Sequence, residues 1–258
     1  MRGNHVAHHR HHHSFNPQAH PLLAALTVHW REYLIEGLFL GLFMVSACVF
    51  VVIFEHPDSP VHTAMADQDF LRRMLIGIAM GLTAIALIAS PWGQKSGAHM
   101  NPSVTLSMLY LGKISLWDAV FYIPAQFIGG AAGVGLSQLM LGPRIWHKSV
   151  DYAVTVPGSL GDIGAFVCEF GISCLLLTIV LKVAHTRYAS LTPFVAGTLV
   201  ATYITFEAPY SGMSMNPART VASAVWANEW PAMWVYFLAP VLGMMTGALI
   251  HRKILRTV

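Results

Sequence analysis

Charge is what this chain has least of. Only 10% of its 258 residues are Asp, Glu, Lys or Arg, where a soluble domain carries about a quarter. Most of the chain therefore cannot face water. Cysteine is scarce too, and Cys48, Cys168 and Cys174 all fall inside apolar stretches. They read as small buried hydrophobes, with no disulfide framework. The net charge of +3 comes from basic residues scattered among loops, so no nucleic-acid surface is expected. Ser, His and Asp show no nucleophile elbow and no metal-ligand spacing. Enzyme activity, a metal site and a cofactor are all without support.

What the chain does have is long apolar runs. Between Tyr33 and Phe54 the only carboxylate is Glu36, and between Met74 and Ser90 there is none. A helix needs roughly 17 to 25 apolar residues to cross a hydrocarbon core of about 30 Å. Six full spans are predicted, at about Tyr33–Phe54, Leu71–Ser90, Leu116–Leu141, Ile163–Val183, Leu191–Phe206 and Met233–Ile250. Two further apolar segments, Pro102–Leu111 and Pro217–Trp226, are too short to cross and read as re-entrant half-helices. The fold class is an all-α membrane protein in contact with the lipid bilayer.

No cleavable signal peptide is recognisable. The chain opens on a tract containing His8, His9, Arg10, His11, His12 and His13. Such a tract can bind metal, but a disordered polar tail or an appended tag is the better reading. Residues 1–28 are set aside as that tail, with a first repeat over 29–150 and a second over 151–258.

Basic-residue bias sets the orientation. With both termini in the cytoplasm, ten of the fifteen Lys and Arg lie inside, among them Lys95, Lys113, Lys182 and Arg252. The outer loops then hold Asp58, Asp67, Asp69 and Asp151. A multi-pass protein of the cell membrane is expected.

An internal repeat is visible. Ser96-Gly97-Ala98-His99-Met100-Asn101-Pro102-Ser103 mirrors Ser211-Gly212-Met213-Ser214-Met215-Asn216-Pro217-Ala218 at an offset of 115. Ala125-Gln126-Phe127-Ile128-Gly129 mirrors Ala239-Pro240-Val241-Leu242-Gly243 at 114, and Glu36 corresponds to Glu169 at 133. Each repeat holds three spans and one half-helix. Three is odd, so the second repeat enters the membrane from the opposite face and the two units are inverted. The two half-helices then point their N-termini at each other near the midplane.

Asparagine is among the best N-caps and proline is favoured at the first helical position, so both Asn-Pro pairs are helix starts. Non-helical backbone at membrane depth persists only where it is buried in protein or lines a wet cavity. The carbonyls of Gly97, Ala98, His99 and Met100, and of Gly212, Met213, Ser214 and Met215, are therefore expected to line a pore unpaired. They form a ladder of acceptors for a permeating solute. The facing helix N-termini and the donors of Asn101 and Asn216 oppose cations and protons. Arg219, one position past the second motif, is either a snorkelling structural residue or one wall of a constriction. Glu36 and Glu169 are either proton-relay groups or acceptors for backbone N–H groups of the re-entrant loops. Their symmetry favours the second role. For His99, anchoring is favoured over gating.

These runs resemble the aquaporin (major intrinsic protein) family over nearly all of the chain from the first span to the sixth. The resemblance implies an aquaporin-like fold and a homotetramer with a pore through each subunit. It places a selectivity filter at Met80, Ile204, Met213 and Arg219, where strict water channels usually carry an aromatic and a histidine at the first two positions. Ser103 departs from the usual alanine. Thr220, Tyr236 and Phe237 match the water-type subgroup rather than the glycerol-type. The expected function is a passive channel for water, driven by osmotic gradients and excluding ions and protons. A broader facilitator of small neutral solutes such as glycerol, urea, ammonia or peroxide is the alternative, followed by a closed structural homologue. A secondary transporter would need midplane carboxylates beyond Glu36 and Glu169.

Overall fold

The computed structural model describes residues 22–255, and its regular elements are all helices, with no strand among the described residues. In chain order the helices are α1 (Leu22–Glu55), α2 (Pro60–Ala64), α3 (Asp69–Ala89), α4 (Pro91–Ser96), α5 (Pro102–Tyr110), α6 (Leu116–Leu141), α7 (Gly161–Ala184), α8 (Thr192–Phe206), α9 (Ala208–Ser211), α10 (Pro217–Ala227) and α11 (Met233–Ile250). Of these, α1, α3, α6, α7, α8 and α11 are long and apolar enough to cross a membrane. At 9 and 11 residues, α5 and α10 are only about 14 Å and about 17 Å long at 1.5 Å per residue, half a bilayer each.

The first helix begins earlier than its composition suggests. Residues 22–28, expected to belong to a disordered tail, continue into α1 across a kink at His29 (φ −113°, ψ 15°). Ala25 in that turn is fully buried. Downstream, the Tyr33 hydroxyl donates to Asp118 Oδ1 at 2.7 Å and lies 3.0 Å from the Ala25 carbonyl. His29 Nδ1 reaches the same Asp118 oxygen at 2.8 Å. One buried carboxylate at the start of α6 thus holds the kink residue and the turn that follows it. Residues 1–21, with the histidine tract, lie outside the described residues.

The spans pack as pairs: α1 against α6, α7 against α11, and α3 against α8. Small residues make all three pairs close, Gly81 and Gly197 doing so in the third. An added Cβ at Gly129 or Gly133 would lie 2.0 or 2.3 Å from the backbone carbonyl oxygen of Gly37 or Gly41. In the second pair, Gly243 and Gly247 stand in the same relation to Phe170 and Cys174 at 2.4 and 2.8 Å. Such contacts replace the hydrophobic drive that helix association lacks in lipid.

The half-helices are exchanged. Of the two, α5 packs on α11 as well as on α6, and α10 packs chiefly on α6. Each is thereby held by a helix from the other half of the chain. The loops leading into them start alike, with α4 ending at Gly97 (φ 86°) and α9 at Gly212 (φ 84°). A left-handed residue at both points turns the chain back into the membrane, and glycine adopts it without steric cost.

Candidate functional site

Each Asn-Pro pair starts a half-helix by a local rule. Asn101 Oδ1 accepts from Ser103 N at 2.8 Å, and Asn216 Oδ1 accepts from Ala218 N at 3.0 Å and Arg219 N at 3.2 Å. Capping uses the oxygen of each amide and turns its nitrogen outward. The two nitrogens cross between the loops. Asn101 Nδ2 donates to the Met215 carbonyl at 2.7 Å, and Asn216 Nδ2 donates to the Met100 carbonyl at 2.7 Å. A primary amide carries two N–H donors, so each keeps one more.

The loop backbones match residue for residue. Ala98 and Met213 have φ of 45° and 48°, and Met100 and Met215 have 49° and 53°. Left-handed backbone costs a non-glycine residue roughly 1–2 kcal/mol, so something must hold it. Behind the first loop, Glu36 accepts from Ser96 Oγ and His99 N at 2.9 Å, from Met100 N at 2.6 Å and from Gln126 Nε2 at 2.9 Å. Behind the second, Glu169 accepts from Ser211 Oγ at 2.9 Å, Ser214 N at 2.6 Å and Met215 N at 2.7 Å. Both carboxylates are fully buried, and apart from the Gln126 bond from α6 their hydrogen bonds come from the loops and the serines that lead into them. Tyr122 and Tyr236 complete the pattern, each donating at 2.7 Å to the carbonyl of Ser96 or Ser211.

One cavity of about 930 Å³ runs past these loops. Glu55 and Arg73 line one end and Lys113 and His185 the other, with Asn101 and Asn216 between them. All eight residues proposed for the carbonyl ladder line it, as do Met80, Ile204, Met213 and Arg219. Pro102, Pro217, Ser103 and Ala218 do not line it and are packed behind the asparagines.

The ladder needs one correction. Its carbonyls were expected to be unpaired, yet those of Met100 and Met215 already accept from the crossed amides. The asparagines sit between the loops, within reach of the carbonyl that precedes the opposite cap, and a buried acceptor takes the nearest donor. A carbonyl has two lone pairs, so each retains one.

Several contributors carry no motif. Thr155 accepts a hydrogen bond from Arg219 Nη1 and is buried. It belongs to an irregular stretch lying over the second loop, where Gly158 N and Ser159 N donate to Tyr210 O and Pro209 O at 3.1 Å. Gln126 bridges Glu36 and Thr105 Oγ1, while Pro240 stands at the repeat-related position. The offset of 114 that pairs Ala125 with Ala239 also pairs Tyr122 with Tyr236, a signal that was available in the sequence. His99 places Nδ1 3.1 Å from Thr105 Oγ1 and its ring edge-on to Tyr122. Thr220 Oγ1 lies 2.5 Å from Ser214 Oγ, and Phe237 stacks on Phe127.

Chemically, the middle of the cavity presents amide donors and loop carbonyls where the N-termini of two half-helices bring positive partial charge. Such a lining offers hydrogen bonds to a neutral oxygen-bearing solute and an electrostatic barrier to cations. No cluster of three or more metal-ligating side chains exists among the described residues.

Comparison with known proteins is consistent with this architecture. Residues 24–251 match the family model described as Major intrinsic protein. Aquaporin A of Dictyostelium discoideum is 30% identical over 198 residues, covering 75% of this chain and 70% of that protein. Probable aquaporin NIP7-1 of Arabidopsis thaliana is 31% identical, covering 69% of this chain and 63% of its own length. Aquaporin-4 of Rattus norvegicus is 30% identical over 224 residues, 85% of this chain and 66% of that protein. The chain thus spans about two thirds of the length of these relatives. Among solved structures, the aquaglyceroporin from Plasmodium falciparum superposes with a TM-score of 0.72 at 19% identity, covering 88% of this chain and 97% of that one. That likeness shows a shared fold.

Proposed function

The chain belongs to the major intrinsic protein family of passive membrane channels, and from that premise we propose that its principal solute is water, moved by osmotic gradients with ions and protons excluded. The crossed asparagine amides carry the reading. They put two outward N–H donors at the point where both half-helices begin. A water oxygen passing there accepts from both amides and, with its lone pairs so occupied, can only donate to its neighbours and cannot accept a hydrogen bond or a proton along the file. Arg219 at the wall of the same cavity adds a fixed positive charge against cations. Glu36 and Glu169 serve as the struts of the two loops, and Met80, Ile204, Met213 and Arg219 form the filter.

One observation favours a broader range of solutes. Three of the four filter positions are Met80, Ile204 and Met213, with no aromatic ring among the four and flexible thioethers instead. Glycerol-sized polyols are the second reading. The relation to aquaporins supports the first, and the likeness to an aquaglyceroporin is compatible with the second. A homotetramer in the cell membrane with both termini cytoplasmic completes the proposal, on the family resemblance and the Lys and Arg bias of the loops.

Stopped-flow light scattering on proteoliposomes decides between them. Fast shrinkage in sucrose with slow glycerol re-entry is expected. Rapid glycerol re-entry moves the function to the broader facilitator. A rate no higher than that of empty liposomes in either gradient sinks the channel reading for this chain.

A further inference from the structure

A second cleft, of about 590 Å³, lies away from the pore where α1 and α6 end. His56, Asp58, Arg144 and His147 supply its polar lining, and Leu141, Pro143 and Trp146 its apolar side. His56 follows the last residue of the first span and Trp146 closes the third, so the cleft sits at the level of the lipid headgroups. Below it on α6, Leu136, Leu139 and Met140 are 50%, 84% and 60% exposed, an apolar track facing the acyl chains.

The two imidazoles are paired, with ring centroids 4.8 Å apart. Their hydrogen bonds assign the tautomers. Asp58 N donates to His56 Nδ1 at 3.1 Å, and at His147 Nδ1 Ser149 N donates at 3.3 Å with Ser149 Oγ, itself able to donate, 2.9 Å away. An Nδ1 that accepts has no proton, so in each neutral ring the proton is on Nε2. Neither ring offers a lone pair to a metal without losing a backbone hydrogen bond. Both instead present an N–H donor. His56 is only 5% exposed, so its donor has little freedom to turn away.

We propose that this cleft binds the zwitterionic headgroup of a phosphoethanolamine-type lipid. Two imidazole N–H donors and the Arg144 guanidinium match the phosphodiester oxygens, since guanidinium binds phosphate in a planar two-pronged fashion. Asp58 is the acceptor for the ammonium group. An anionic headgroup with no cation would meet the Asp58 carboxylate without compensation. Trp146 is suited to the interfacial position, where amphipathic rings collect, and the exposed track on α6 takes an acyl chain.

Native mass spectrometry of the delipidated full chain, titrated with phosphatidylethanolamine, phosphatidylglycerol and phosphatidylcholine of identical acyl chains, tests the proposal. Retention of one phosphatidylethanolamine per chain is expected, at about tenfold lower lipid concentration than phosphatidylglycerol, the scale of one hydrogen bond to a charged group. Asp58→Asn should erase that preference, and Arg144→Gln should weaken retention of all three lipids, with osmotic water flux unchanged in both as the control for folding. Equal or tighter retention of phosphatidylglycerol by the unsubstituted chain overturns the proposal. A preference for phosphatidylethanolamine that survives both substitutions overturns it equally, because retention then lies elsewhere on the surface.

Discussion

Thr155 holds Arg219: the hydroxyl of a buried residue in an irregular stretch accepts from a guanidinium nitrogen at the pore wall. The two are 64 positions apart in the chain. The orientation of Arg219, which we propose for the filter, is therefore set from outside the half-helix that carries it. Replacing Thr155 by Val should leave Arg219 free to swing and raise the ratio of glycerol to water flux by roughly tenfold, the scale of a charge-assisted hydrogen bond. Thr155→Ser should stay close to the parent, and Arg219→Ala should exceed Thr155→Val. Paired stopped-flow measurements rank the three, and an unchanged solute profile in Arg219→Ala removes that residue from the filter.

The struts predict a different phenotype. Glutamine presents only one acceptor oxygen where Glu36 meets four donors and Glu169 meets three. Its NH₂ group would also face a loop N–H head-on. Glu36→Gln and Glu169→Gln should each lower the yield of monodisperse protein by about tenfold or more, on the scale of a lost buried network. Whatever folds should keep the parent's solute selectivity. Normal yield with altered proton coupling of flux would favour a relay.

The bore of the filter can be tested by addition. Introducing Met80→Phe together with Ile204→His puts a rigid ring and a polar donor where the flexible thioether and aliphatic chain now stand. Glycerol flux should fall to background while water flux stays within about twofold of the parent, because a neutral polar donor replaces part of the lost width. A glycerol rate untouched by both changes would place the narrowest point elsewhere.

Ser103 carries a hydroxyl that is fully buried and has no hydrogen-bond partner. An unsatisfied polar group of this kind costs about 1–3 kcal/mol. Ser103→Ala should raise the thermal midpoint by a few degrees with permeability unchanged, as read from a melting curve in detergent. No structural gain from the serine offsets this cost.

Outside the spans, burial first and the Glu229 carboxylate second raise the pKa of the Asp151 carboxyl. A carboxyl with a raised folded pKa binds its proton more tightly in the folded than in the unfolded state. Its contribution to stability is therefore complete below the unfolded value of about 3.9 and is lost as pH rises through the folded one. Melting temperatures taken from acid to neutral pH should fall across that window for the parent, and Asp151→Asn should flatten the fall. A curve identical in both proteins would assign the pH dependence to other groups.

Local rules carried most of the architecture into view. The Asn-Pro starts follow from capping chemistry, the spans from the length of apolar runs, and the place of Glu36 and Glu169 from the repeat offset. The contributors that were not legible act across the chain. Thr155 sits in a stretch with no periodicity, and nothing in its neighbours points to a residue 64 positions away. The crossing of the two amides depends on how closely the loops approach, which no pattern within either loop encodes. The early start of α1 escaped because Leu22–Val28 precedes a kink. Its anchor, Asp118, is 85 positions beyond Tyr33.

The exchanged half-helices bear on how the molecule is made. When translation has delivered only the helices through α6, α5 has no α11 to lie against and Asn101 has no Met215 carbonyl to meet. The early half must wait in the bilayer with its first loop unfinished until the second loop supplies Met215 and Asn216 and α11 supplies the face on which α5 lies. A stop codon late in the message therefore does more than remove the final span, because it withdraws the support of a segment made long before.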